Sequence, residues 1–357
     1  MNEKLEALCR QQAKRYPALE ATDLVKALYQ AEFGCGHLIQ DAARAKAWLA
    51  NEMAECGLPA SGTCPPLTES LGDFSRVHLL PAREMGISVD TLFALFALSA
   101  RDKAGCMEDF TAQLDQLERM SEAGEVPVPA GAMREYLAEY RRQGCPAARH
   151  SAAFREAYAP AYRVIRSRYV PFLPLFAAID RAMQDKRRVT VAIEGGSASG
   201  KSTLGALLAE VYGCTVFHMD DFFLQPHQRT PERFAQPGGN VDYERFLGEV
   251  LLPLRQREPF CYRPFSCRSM TLGEAVAVTP TALCIVEGAY SMHPTLAAEY
   301  DLSAFLRIAP DTQAARILTR NGAEMQRRFL QEWIPLEEKY FSACHVEERC
   351  TMVIPVG

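Results

Sequence analysis

The stretch Gly195-Gly196-Ser197-Ala198-Ser199-Gly200-Lys201-Ser202 fits, without a mismatch, the phosphate-loop pattern of a glycine, four residues and then Gly-Lys-Ser. In such a loop, glycines let successive backbone N–H groups turn inward around an anion, and the next helix points its positive dipole end at the same place. The flanks agree, because Val189–Ile193 is a β-branched strand run and Thr203–Tyr212 has the apolar spacing of a helix. Strand, loop and helix together predict a nucleoside triphosphate site.

The pattern also assigns roles to single residues. Lys201 is expected to reach the β- and γ-phosphates, and the Ser202 hydroxyl is expected to hold Mg²⁺. The predicted nucleotide-binding residues are Gly195, Gly196, Ser197, Ala198, Ser199, Gly200, Lys201, Ser202 and Thr203. A glycine-rich turn before a helix is the alternative interpretation.

The composition limits the classes of protein to consider. A length of 357 residues favours two domains, and 48% hydrophobic with 23% charged residues is typical of a soluble globular protein. A net charge of −5 gives no electrostatic reason to expect nucleic acid or an anionic membrane as a partner. The twelve cysteines contain no C-x-x-C pair, which favours reduced thiols. With no signal peptide or membrane-spanning run, we expect a cytoplasmic protein that binds a small molecule, and a homo-oligomer stays open.

The first half of the chain shows helical apolar spacing and few recognisable strands. We therefore predict an all-α domain over residues 1–170, followed by a second domain over residues 171–357. Residues 56–72 are expected to form a loop, and residues 151–168 a helix. Phe33–His37 and Glu69–Asp73 combine polar groups with glycines, as binding loops do. Ordinary turns between helices have the same composition.

Carboxylates follow the second apolar strand after the phosphate loop. Cys214–Met219 is that strand, and it would deliver Asp220 and Asp221 to the carboxyl edge of a parallel sheet, where open α/β folds place ligands. Phosphoryl transfer to a hydroxyl needs a carboxylate near the acceptor oxygen. Asp220 is the candidate base, with Asp221 as a second carboxylate towards the substrate or a metal-bound water. A pair of helix-capping aspartates is the alternative.

Three further segments carry candidate site residues. Asp242 precedes a helix and could bind the hydroxyls of a sugar or cap that helix. The apolar run Ala282–Gly288 contains Glu287 near its end, where a carboxylate can orient Mg²⁺. Arg316 and Arg320 are spaced i, i+4 on one helix face, which suits a lid over a transferring phosphate as well as a solvated basic face.

The order of these segments resembles the uridine kinase and phosphoribulokinase group of P-loop kinases, from about Val189 to Gly357. Asp220-Asp221-Phe222-Phe223 is also similar to the nicotinamide riboside kinases. The resemblance implies a parallel sheet flanked by helices, ATP with Mg²⁺, and transfer to a primary hydroxyl, typically a nucleoside 5′-OH. It implies Asp220 as the base, Asp242 on the ribose hydroxyls, Tyr262 against the base, and Arg316 with Arg320 in the lid.

The sequence thus predicts an α/β P-loop NTPase domain preceded by an all-α domain. The expected function is ATP-dependent phosphorylation of a nucleoside such as uridine or cytidine. Alternative acceptors are nicotinamide riboside, pantothenate or another sugar-like alcohol, and an ATP-binding switch without catalysis is a further alternative. A bifunctional enzyme is also open, and a deep polar pocket in the first half would support it.

Overall fold

The computed structural model describes residues 2–59, 62–101, 105–256 and 258–357. The chain divides into two compact units, residues 1–173 and residues 174–357. The boundary expected from the sequence lies between residues 170 and 171. Within the described residues, no helix is both long and apolar enough to cross a lipid bilayer. All twelve cysteines are free thiols.

The N-terminal unit is mainly helical. Its α-helices are α1 (Asn2–Arg15), α2 (Ala21–Phe33), α3 (Ala42–Glu55), α4 (Leu79–Met85), α5 (Val89–Arg101), α6 (Met107–Glu122), α7 (Ala130–Arg142) and α8 (Ala152–Tyr158). Short 3-10 turns cover Gly36–Leu38 and Ser167–Phe172. These helices bury apolar stripes, as their spacing predicts.

The prediction that this unit is all-α was wrong in one respect, because it also holds a three-stranded antiparallel sheet. The strands β1 (Thr68–Ser70), β2 (Phe74–His78) and β3 (Tyr162–Arg166) lie in the order β1-β2-β3. Strand β1 falls in the segment expected to be a loop, and β3 in the segment expected to be one helix. That helix ends at Tyr158, because Ala159 has a left-handed φ of 41° and Pro160 cannot continue a helix.

The C-terminal unit contains a five-stranded parallel sheet, as predicted. Its order is β12-β11-β4-β10-β5, with β4 (Val189–Gly195), β5 (Thr215–His218), β10 (Leu283–Glu287), β11 (Leu302–Ile308) and β12 (Met352–Val356). Strands β4 and β10 are buried along their whole length, which is why they read as continuous apolar runs. Two small antiparallel pairs join β6 (Phe260–Tyr262) to β9 (Val276–Val278), and β7 (Phe265–Ser266) to β8 (Thr271–Leu272).

Helices flank this sheet. They are α9 (Leu173–Asp185), which begins at the division between the units, α10 (Lys201–Tyr212), α11 (Pro231–Ala235), α12 (Tyr243–Phe246), α13 (Leu252–Gln256), α14 (Pro310–Arg328), α15 (Ile334–Ala343) and α16 (Val346–Arg349). Short π-helical segments at Leu247–Leu251 and Phe329–Trp333 lead into α13 and α15. The carboxyl ends of the neighbouring strands β4, β10 and β5 lie side by side, since Glu287 of β10 pairs with both Ile193 and His218.

Candidate phosphate and phosphoryl-transfer site

The phosphate-loop residues form the turn between β4 and α10. Gly195 has a φ of 144°, and a Cβ added there would lie 2.7 Å from the carbonyl oxygen of Leu306. Gly200 and Ala198 also have positive φ values, of 99° and 59°. Positive φ values among ordinary ones let a loop turn backbone N–H groups towards one concave space. Phosphate binding by the loop stays a prediction.

Two groups within the loop fit a bound phosphate. The Lys201 ammonium donates a hydrogen bond to the carbonyl of Gly196 at 2.9 Å, which holds it across the loop. The hydroxyl of Ser199 is buried and has no hydrogen-bond partner among the described residues. A phosphate oxygen would satisfy that hydroxyl. Lys201, Ser202 and Thr203 form the first turn of α10, at the positive end of its dipole.

Glu194 anchors the start of the loop, and the sequence analysis missed it. Its fully buried carboxylate accepts hydrogen bonds from the backbone N–H groups of Gly195, Met292 and Tyr290, at 2.8, 3.0 and 3.2 Å. The Tyr340 hydroxyl also donates to it, at 3.1 Å. Burial raises the pKa of Glu194 to about 7, against the lowering effect of these donors. The carboxylate therefore ties the loop to the segment after β10.

Side chains from α14 and α15 hold the middle of the loop. Glu337 accepts hydrogen bonds from the backbone N–H and the hydroxyl of Ser197, at 2.9 and 2.6 Å. The Gln313 amide donates to the Ser197 carbonyl at 2.9 Å, and Arg316 donates to the Ala198 carbonyl at 3.3 Å. Burial raises the pKa of the Glu337 carboxyl. Of these three contacting side chains, only Arg316 is predicted from the sequence as a site residue.

The two predicted lid arginines have different contacts in the structure. Arg316 contacts the loop, whereas Arg320 is exposed and donates from its Nε to the side chain of Asn321 at 2.8 Å. Helix α14 is interrupted directly afterwards, since Gly322 has a non-helical φ of 79°. A clamping role for Arg320 stays a prediction.

Ser202 and Glu287 meet at the carboxyl end of the sheet. The Ser202 hydroxyl donates to the Glu287 carboxylate at 3.1 Å, and both are the hard oxygen ligands that Mg²⁺ takes. No group of three or more His, Cys, Asp or Glu side chains in the described ranges could hold a metal ion on its own. The pair therefore fits a Mg²⁺ ion whose other ligands are phosphate oxygens and water.

His218 also contacts this site, although the sequence pattern does not predict it. It ends β5, and its Nδ1 lies 2.5 Å from the other carboxylate oxygen of Glu287. This hydrogen bond raises the pKa of His218, while burial opposes the shift. Only its place two residues before Asp220 could have drawn attention to it.

Asp220 lies in the short 3-10 turn Met219–Phe222 that follows β5. Its side chain is exposed, yet neighbouring atoms desolvate it enough to raise its pKa, and the Glu287 charge adds to this effect. The Lys201 charge acts on the same carboxyl group in the opposite direction. Lys201 and Glu287 thus act on the protonation of Asp220 in opposite directions, and its role as the base stays a prediction.

Asp221 and Tyr262 are in contact with each other. The Tyr262 hydroxyl donates to the Asp221 carboxylate at 3.3 Å, and the Tyr262 ring stacks on Phe222 with centroids 5.5 Å apart. The ring is buried in the apolar core, and burial raises the pKa of Tyr262 to about 12. Substrate contacts by either residue stay predictions.

Asp242 caps helix α12, which was one of its two interpretations. Its carboxylate accepts a hydrogen bond from the backbone N–H of Arg245 at 3.1 Å, and its other oxygen lies 3.5 Å from the guanidinium of the same residue. The side chain is almost completely buried. A role on ribose hydroxyls stays a prediction.

The chain is similar to solved structures of several other proteins. No family model and no curated protein matches the chain. One similar structure is a protein described as a possible uridine kinase from Bacillus stearothermophilus, at 18% identity and a TM-score of 0.37, covering 50% of this chain and 98% of that chain. Another is described as a fructose transport system kinase from Silicibacter, at 22% identity and a TM-score of 0.40, with the same coverage of 50% and 98%. A D-glycerate 3-kinase from Cryptococcus neoformans has 17% identity and a TM-score of 0.31, covering 43% of this chain and 78% of its own.

Proposed function

We propose that the C-terminal unit is an ATP-dependent phosphotransferase that acts on a hydroxyl group of a small molecule. The observation that carries this proposal is the position of Asp220 in the turn directly after β5, two residues from His218, which pairs with Glu287 across the sheet. A protein that only binds ATP with Mg²⁺ needs the phosphate loop and a ligand for the ion, such as Glu287, but no second carboxylate for the acceptor. A phosphotransferase needs a group that accepts the proton of the attacking hydroxyl.

Each part of the site has a role in this reaction. The loop N–H groups and Lys201 bind and neutralise the phosphates, and Arg316, already on the loop, adds positive charge. Ser202 and Glu287 would hold Mg²⁺, which supplies further neutralisation when it is bound with the nucleotide. Asp220 accepts the hydroxyl proton, and its raised pKa makes it a stronger base than a fully solvated aspartate.

The acceptor we propose is the 5′-OH of a nucleoside, with uridine and cytidine as the preferred candidates. The support is the order of motifs in the C-terminal unit, which resembles that of uridine kinases. Asp242→Asn tests the ribose contact, because asparagine caps a helix about as well as aspartate and should preserve the fold. If Asp242 binds ribose, the variant should raise the KM for the nucleoside without lowering the unfolding temperature. An unchanged KM would leave Asp242 as a cap alone.

The decisive experiment measures ADP release with ATP and Mg²⁺ against nucleosides, nicotinamide riboside, pantothenate and simple sugars. We expect one acceptor class to stimulate release, and Asp220→Asn to reduce kcat by about 10²-fold or more while ATP still binds. Asp185→Asn, at the exposed end of α9, is the matched control and should keep the wild-type kcat. Hydrolysis that no acceptor stimulates, and that Asp220→Asn leaves unchanged, would contradict the proposal.

The same assay addresses the alternative of an ATP-binding switch. A switch would bind ATP tightly, show no acceptor-stimulated turnover, and be insensitive to Asp220→Asn. A kinase with another acceptor would keep the Asp220 dependence and change only the compound that stimulates ADP release. The two alternatives therefore give different results.

A further inference from the structure

The N-terminal unit contains a cavity of about 360 Å³, a volume within the range of small-molecule sites. One wall is aromatic, because Tyr16 packs against Phe154 and Tyr158 with ring centroids 4.9 Å apart in each pair. Another part of the lining comes from the sheet, where Arg76 and His78 of β2 and Tyr162 of β3 reach the cavity. A cavity with an apolar side and a few fixed polar groups is the usual form of a ligand site.

Arg76 is the central polar group of this cavity. Its side chain is about 1% exposed, and three of its N–H groups are paired. The Nε donates to Gln30 at 2.9 Å, and Nη1 donates to Gln12 and to Glu69 at 3.1 and 3.3 Å. The remaining nitrogen, Nη2, is buried and has no hydrogen-bond partner among the described residues. A buried unpaired donor on a charged group is costly, which points to a ligand that accepts from it.

His78 presents a second buried nitrogen to the same cavity. It follows Arg76 by two residues in β2, so both side chains lie on one face of the strand. Its Nε2 is buried and makes no hydrogen bond with the described residues, although it lies 3.6 Å from a carboxylate oxygen of Glu69, within ion-pair range. The unpaired Nη2 of Arg76, with this imidazole on the same face of the strand, forms a site for a group with acceptor oxygens.

The charge balance of the cavity favours an anion. Arg15 and Arg76 both line it, and Arg76 forms an ion pair with Glu69. Burial alone would raise the pKa of Glu69, but His78, Arg76 and Gln12 outweigh it and lower the pKa to about 2. Glu69 is therefore ionised and neutralises one arginine, which leaves a positive charge towards the cavity.

The walls are held in place by a second buried network. His150 contacts Asp23 through its Nδ1 and the Tyr162 hydroxyl through its Nε2, each at 2.7 Å. The Tyr162 ring in turn lies 4.8 Å from the guanidinium carbon of Arg76, within cation–π range. The donors and the aromatic surfaces are thus fixed before a ligand binds, which lowers the entropy cost of binding.

We propose that this cavity binds a small organic anion, with its carboxylate or phosphate group against Arg76 and His78 and its apolar body against Tyr16, Phe154 and Tyr158. The site is independent of the function proposed for the C-terminal unit. A carboxylate and a phosphate share the required acceptor oxygens, so the experiment has one arm for each.

The test uses the full chain and three probes of similar size, namely benzoate, phenyl phosphate and neutral benzyl alcohol, with binding measured by calorimetry. We expect at least one anion to bind at least tenfold more tightly than the alcohol. The double variant Glu69→Gln/Arg76→Met removes both charges together, so neither is left buried and unpaired. It should weaken anion binding at least tenfold while ATP binding by the phosphate loop stays unchanged.

A second variant keeps the polar network and fills the space. Ala161 lines the cavity, and Ala161→Phe should block the anion and preserve the cooperative unfolding of the chain. Anion binding that persists in the double variant contradicts the proposal. Phenyl phosphate that binds to the phosphate loop instead of the cavity would give this result. Equal affinity for the neutral alcohol also contradicts the proposal, as does no binding at millimolar concentration by the folded wild type.

Discussion

The carboxylate of Glu337 accepts hydrogen bonds from both the backbone N–H and the hydroxyl of Ser197, 140 residues earlier in the chain. It therefore fixes the middle of the phosphate loop from helix α15. Glu337→Ala removes both bonds. Since net hydrogen bonds are each worth about 1 kcal/mol, we expect ATP affinity to fall by up to roughly 30-fold. Fluorescence titration with a labelled ATP analogue measures this change.

The exposed Glu338 of the same helix offers a control, and Glu338→Ala should leave affinity within twofold of wild type. If Glu337→Ala bound ATP more tightly, the carboxylate would instead compete with phosphate for the Ser197 N–H group.

The contact between Ser202 and Glu287 predicts how Mg²⁺ affects nucleotide binding. Glu287→Gln removes a charged ligand of the ion. The ratio of the ATP affinity measured with Mg²⁺ to that measured with EDTA should therefore fall about tenfold, or ~1.4 kcal/mol. The affinity for ATP in the presence of EDTA should change little. Glu258→Gln, at an exposed position, is the control and should keep the full gain. An undiminished gain in Glu287→Gln would remove Glu287 from the metal site.

The C-terminal unit was the more predictable part because its information is local. Buried parallel strands appear in the sequence as apolar runs, and ligands bind at the carboxyl ends of such strands. Asp220 and Glu287 could therefore be predicted as site residues from their positions alone. Glu194, Glu337 and His218 could not, because each acts through a partner that is distant in sequence. Sequence spacing carries no signal that Glu337 of α15 reaches Ser197.

The strands of the N-terminal unit were missed for a different reason. Strand β2 is buried on both faces, yet it carries Arg76 and His78. Its sequence therefore shows neither a continuous apolar run nor an alternation of apolar and polar residues. The charges are tolerated because Gln12, Gln30 and Glu69 supply partners from other elements. A buried polar network of this kind hides a core strand from hydrophobic periodicity.

Gly195 allows a direct test of loop geometry. Its φ of 144° and the 2.7 Å separation between an added Cβ and the Leu306 carbonyl leave no room for alanine. We expect Gly195→Ala to lower the free energy of unfolding by roughly 2 kcal/mol or more and to abolish ATP binding. Gly248→Ala is the control, because a Cβ there meets nothing within 4 Å. Equal stability and ATP affinity for both variants would show that the loop tolerates a side chain at Gly195.

His150 makes the stability of the N-terminal unit depend on pH. Burial lowers its pKa from 6.5 to about 4, although Asp23 opposes the shift. Between these two values the unfolded chain binds a proton that the folded unit does not, so stability falls as the pH drops from 6.5 towards 4. The loss is at most roughly 3 kcal/mol.

His150→Gln tests this assignment, because the amide can still contact Asp23 and Tyr162 but does not titrate. Urea unfolding followed by pulse proteolysis should show a variant that is less stable at pH 7.5 and has a flatter pH dependence between 6.5 and 4. His227→Gln, at an exposed position, should keep the wild-type slope. If His150→Gln kept the wild-type slope as well, the acid sensitivity would come from other groups, and His150 would be charged in the folded unit.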